Sequence, residues 1–99
     1  MQLARLWRQH KEAGCPSELV GVEIAGTDAR ALDAEISSCV CALLSHTLQV
    51  DERIERRLVE VRADLTQRQM QAEPPVAQYC ARLNELVGAV LSRHKVGHS

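Results

Sequence analysis

From Ser37 to Val50 the chain carries no charged residue, and this stretch constrains the fold more than any other feature. Placed on a helix at about 100° per residue, Leu32, Ile36, Cys39, Val40 and Leu43 form one face. Cys41, Leu44 and Leu48 continue that face sideways. The combined apolar arc is about 200°, against the ~100° stripe of an ordinary surface helix. Such a helix has to be covered on two sides, more than the three flanking helices of a 99-residue chain are sure to supply.

The neighbouring segments are read as helices too. Gln2 to Ala13 places Leu3, Leu6, Trp7 and His10 at helical spacing, with Gly14, Cys15 and Pro16 as its stop. Thr27 offers an N-cap hydroxyl for the uncharged helix, with Asp28 in the first turn, and that helix is expected to reach about His46 or Leu48. Asp51 caps a third helix to about Ala72, with Ile54, Leu58, Val61 and Leu65 as a narrow stripe and Val59, Ala63 and Met70 as a thin second one. Pro74 and Pro75 break the chain and start a fourth helix. Its broad face is Val76, Tyr79, Cys80, Leu83, Leu86, Val87, Val90 and Leu91, running to about His94, with Gly97 as its end. Ala77, Ala81 and Gly88 make one flank small enough for a neighbouring helix to approach closely.

Between Pro16 and Gly26 the period changes. Val20, Val22 and Ile24 alternate with Gly21 and Glu23, as in a half-buried strand. Lacking a second strand to pair with, this segment is expected to be an extended connector laying Val22 and Ile24 on the bundle, or an edge that pairs with the same segment of a second chain.

The expected fold class is therefore all-α: a small up-down helical bundle of three long helices plus a short N-terminal helix, with an extended connector at about 17–26. Tight connections make helices two, three and four antiparallel neighbours. Residues 1–99 form a single helical domain, a size that buries roughly 60 to 65% of the unfolded surface. Trp7 and Tyr79 are the only aromatics, so the core has to be built from Leu, Val, Ile, Ala and Cys. That composition suits helices better than sheets.

Twelve basic residues against thirteen acidic ones give a net charge of -1, which nominates no polyanionic partner. The segment from Met1 to Lys11 carries charges and lacks the apolar core of a secretion signal, and nothing approaches the ~20 apolar residues of a membrane span. A cytoplasmic location without membrane association is the default expectation. Cys15, Cys39, Cys41 and Cys80 should then be reduced and act as small hydrophobes.

Candidate chemistry is sparse. His94 and His98 sit four apart, as metal-binding imidazoles on a helix do, and Cys39, Cys41 and Cys80 complete an imaginable Cys/His metal or redox site. Residues two apart diverge by about 160° on a helix, however, and no standard zinc spacing is present. Cys80 with His94 would lie about 21 Å apart along one helix, and Cys41 with His46 also diverge, so neither pair makes an activated thiol. Glu52 with Glu55, and Glu60 with Asp64, fall on a charged helical face. No catalytic residue, cofactor site, metal site or small-molecule substrate is expected.

Arg53, Arg56 and Arg57 are the densest basic cluster, interleaved with Glu52, Glu55 and Glu60 in the pattern of a solvated, salt-bridged face. The leading expectation is a non-enzymatic helical protein-interaction module, a homodimer or a small accessory subunit, with Val22, Ile24, Cys41, Leu44 and Leu48 as candidate interface. The alternatives are a small DNA-binding or regulatory protein using the Arg53–Arg62 helix, and the Cys/His site.

Overall fold

A computed structural model gives the fold, describing residues 2–45 and 50–98, and the side chains of 3–45 and 50–92. Among the described residues the chain forms α1 (Gln2–Ala13), a 3-10 turn (Ser17–Leu19), β1 (Glu23–Ile24), β2 (Thr27–Asp28), α2 (Ala29–Leu44), α3 (Glu52–Gln71) and α4 (Pro74–His98). The all-α class and the short N-terminal helix are as expected. No helix among the described residues is long and apolar enough to cross a membrane.

α4 is the axis of the bundle. Both α1 and α3 pack along it, while α2 rests against α1 and the small hairpin and touches α4 less. The sequence explains the central position. Tyr79, Cys80, Leu83, Leu86 and Val87 are all fully buried, an apolar face broad enough to receive a helix on either side. α3 contributes Leu58, Val61 and Leu65 to the same core, α2 contributes Leu32, Ile36, Val40 and Leu43, and Leu3 and Leu19 close the α1 end. The second stripe of α3 stays in solvent, with Val59 and Met70 exposed.

The helix ends follow from capping. Asp51 accepts the Ile54 N–H at 2.9 Å, as its position before α3 leads one to expect. The N-cap of α2 is Asp28, whose carboxylate accepts the Ala31 N–H at 3.2 Å, and not Thr27. Thr27 is drawn into β2 instead, pairing with Ile24. At its other end α2 stops at Leu44, where the Ser45 hydroxyl folds back onto the Cys41 carbonyl at 2.8 Å. The expected end at His46 or Leu48 falls outside the described residues. Gly97 does not end α4, which continues to His98.

The connector holds its own strand partner. β1 and β2 form a two-residue antiparallel hairpin, Glu23 opposite Asp28 and Ile24 opposite Thr27. Ala25 and Gly26, with φ of 53° and 78°, supply the two positive dihedrals of a hairpin turn whose twist matches its strands. Ala25 is not a glycine, and a side chain costs about 1 to 2 kcal/mol in this region. The tip is held from α3: Asp64 accepts the Ala25 N–H at 2.6 Å and Arg57 donates to the Ala25 carbonyl at 3.0 Å. Arg57 also donates to the Thr27 hydroxyl at 2.6 Å.

Candidate functional site

Two features converge on α2, one polar and one apolar. The polar one joins three helices. His10 on α1 approaches the Asp33 carboxylate of α2 with Nε2 to Oδ2 at 2.6 Å, and the Tyr79 hydroxyl of α4 donates to the same oxygen at 2.5 Å. Ser37, one turn along α2, donates to the other oxygen at 3.3 Å. The Cys15 thiol lies 3.9 Å from Oδ2. Each member arrives for a local reason. His10 ends the Leu3, Leu6, Trp7 stripe of α1, Tyr79 sits on the apolar face of α4, and Asp33 follows the buried Leu32. The Trp7 ring stacks beside His10 at 6.4 Å and the Tyr79 ring lies 5.6 Å from it.

The electrostatics fit a fixed carboxylate. Burial pushes the Asp33 carboxyl up, but the hydrogen bonds from His10 and Tyr79, attraction to the His10 ring and the Ser37 hydroxyl together outweigh it and hold Asp33 below its ordinary value. Burial, and then the adjacent Asp33 carboxylate, drive the Tyr79 phenol far above its ordinary value, so it remains a neutral donor. Burial followed by Asp33 also raises the Cys15 thiol. That disfavours the thiolate, the form a nucleophilic cysteine needs. A histidine oriented by an aspartate is half of a catalytic triad. Here, however, the His10 ring is only 5% exposed and its Nδ1 is buried without a partner, so neither nitrogen faces a substrate.

The apolar feature is a cleft of about 460 Å³ between α2 and α3. Leu32, Ile36 and Cys39 line one wall and Ile54, Leu58 and Val61 the other, with Glu35, Arg53 and Arg57 also lining it. The spacing is i, i+4, i+7 on both helices, so each wall is one continuous face. Leu32, Ile36, Leu58 and Val61 are buried, whereas Cys39 and Ile54 are only half-buried. Burial and then the Glu35 carboxylate raise the Cys39 thiol.

The residues singled out from the sequence separate in space. Cys41 is exposed and Leu44 half-buried on α2, Val22 is half-buried, and Leu48 lies outside the described residues. Ile24 is fully buried in the core of its own chain, held there by the hairpin, so it presents no surface to a partner. Cys80 is fully buried, and burial is the main cause of its raised thiol. No group of three or more His, Cys, Asp or Glu among the described residues is placed to hold a metal ion; the side chains of His46, His94 and His98 lie outside that description. Of the arginines, Arg57 is committed to the hairpin, Arg62 donates to Asn84 at 2.9 Å and Arg56 pairs with Glu52 at 3.5 Å. On the small flank, Gly88 faces α3 through the Arg62 side chain. Its absent Cβ makes room for the Arg62 guanidinium, which would stand 3.3 Å from it.

Sequence reasoning missed the Asp33 cluster. The available signal was two polar-tipped residues, His10 and Tyr79, on otherwise apolar helical faces, since such a group when buried requires a partner. Comparison with known proteins gives no matching family model, and no match among curated proteins or solved structures.

Proposed function

We propose that this chain is a non-enzymatic, cytoplasmic helical module that acts by protein association, with a second copy of itself as first partner and a role as a small accessory subunit as the other form of the same idea. The observation that carries the reading is the flank of α2 at Cys41 and Leu44. This apolar flank, in a stretch without a single charge, keeps Cys41 exposed and Leu44 half-buried. Full burial of a leucine contributes about 1.5 to 3 kcal/mol relative to exposure, of which Leu44 has realised only part within its own chain. The non-enzymatic part of the reading is supported by the enclosed His10 ring and by the raised thiols of Cys15, Cys39 and Cys80. A reducing, cytoplasmic setting suits cysteines that are free at all four positions.

Sedimentation velocity across a concentration series, in reducing buffer, tests the homodimer. Wild-type protein should associate as concentration rises, and Leu44→Glu should weaken that association while leaving the melting curve near wild type. A strict monomer at every concentration would refute the homodimer form. Commitment of Arg56, Arg57 and Arg62 to partners in the same chain weighs against the alternative reading of α3 as a DNA-contacting helix.

A further inference from the structure

We propose that the α2–α3 cleft binds a small amphiphile of the fatty-acid class, its unbranched tail between the helices and its carboxylate at Arg53. The cleft volume of about 460 Å³ lies within the range of small-molecule sites, which are mostly apolar with a few placed polar groups. Four of the six apolar wall residues are already buried, with Val61 fully so. What enters is therefore thin, an alkyl chain and not a helix.

Charge at the lining selects the head. Three charged side chains line the cleft, Glu35, Arg53 and Arg57. Arg57 is occupied by the Ala25 carbonyl and the Thr27 hydroxyl, and its Nε lies 4.0 Å from Glu35. Arg53, one turn earlier on the same face of α3, is exposed and makes no hydrogen bond or ion pair with any described residue. Glu35 and Arg57 offset one another, which leaves one uncompensated positive charge beside an apolar cleft. A guanidinium presents a fork that matches a carboxylate. A dianionic phosphate head would bring its second charge against Glu35.

The test is titration of isotope-labelled protein with octanoate, decanoate and dodecanoate below their micellar concentrations, followed by amide shifts, with decanol as the neutral comparison. Saturable one-to-one binding is expected, with shifts at Leu32, Ile36, Cys39, Ile54 and Leu58 and affinity rising about three- to fourfold per methylene while the tail still finds wall. Arg53→Gln should weaken decanoate about threefold to fivefold, as for an exposed ion pair, and leave decanol unchanged, whereas Glu35→Gln should tighten decanoate. Cys39→Trp, which fills the cleft from its half-buried wall, should abolish binding if thermal melting shows it folded. If that variant does not fold, the opposite signs at Arg53 and Glu35 remain the deciding result. Absence of saturable shifts at these residues, equal response of decanoate and decanol to Arg53→Gln, or retained binding in folded Cys39→Trp would each overturn the proposal. Loss of self-association in Leu44→Glu is read separately, so the two ideas fail independently.

Discussion

Replacing Asp33 with alanine removes the acceptor shared by His10, Tyr79 and Cys15, and the structure sets the size of the effect. The Tyr79 hydroxyl belongs to a fully buried residue and His10 is 5% exposed, so both donors are left without a partner away from water. Each such orphan costs about 1 to 3 kcal/mol. The Asp33 side chain is itself 18% exposed, so water reaches part of the gap, and a loss of about 3 kcal/mol is expected, toward the lower end for a broken buried pair. Urea unfolding followed by circular dichroism measures it. With a slope of about 1 to 1.5 kcal/mol per M for a chain of this size, the midpoint should fall by about 2 to 3 M. Tyr79→Phe, which leaves Asp33 its other donors, should cost only about 1 kcal/mol. In a double-mutant cycle, Tyr79→Phe added to Asp33→Ala should cost less than it does alone. A loss below about 1 kcal/mol for Asp33→Ala, or strict additivity of the two changes, would refute the shared carboxylate. Acid supplies a second reading. Because the folded state holds the Asp33 carboxyl below its ordinary value, its contribution is complete above the ordinary carboxylate range, about pH 4. That contribution disappears as pH falls through the lower folded value. The stability gap between wild type and Asp33→Asn should therefore narrow as pH falls below about 4.

Three further outcomes follow from the geometry. Ala25→Gly should raise stability by up to about 1 kcal/mol, seen as a higher melting temperature, because it relieves the positive φ of 53° at the hairpin tip. Gly88→Ala should also stabilise, by about 0.5 to 1 kcal/mol, since the group a methyl would meet at 3.3 Å is the far end of the exposed Arg62 side chain; a lower melting temperature would mean that the Arg62 to Asn84 bond matters more. In thiol labelling at pH 8, the exposed Cys41 should react at once and the fully buried Cys80 only at the rate of chain opening, so fast modification of all four thiols would contradict the core.

Much of the architecture is local and could be read directly. Periodicity of 3.6 residues, Asp51 ahead of α3 and the paired prolines ahead of α4 act within one or two turns, and each element lies where those signals put it. The covered face of the uncharged helix was legible for the same reason: Leu32, Ile36, Val40 and Leu43 are all buried. Where local reading failed, a longer-range partner decided. Thr27 looked like a cap because nothing nearby showed that Ile24 would claim it as a strand partner and Arg57 would hold its hydroxyl. Gly97 looked like a stop, yet α4 runs past it, since a single glycine costs a helix only about 1 kcal/mol.

The features of the candidate site belong to tertiary structure altogether. Asp33 meets partners 23 and 46 residues away, and within its own helix it is indistinguishable from any solvated acid. Only the meeting of α1, α2 and α4 makes it the common acceptor of a buried network, and only the separation of α2 from α3 turns two regular apolar faces into a cleft. The sequence by itself determined which segments are helical and which face each one buries, because those choices are set by backbone propensity and side-chain spacing along the chain. Which faces meet, and where one is left short of cover, was decided by how the helices pack, since distance between segments remote in sequence is fixed only in the folded state.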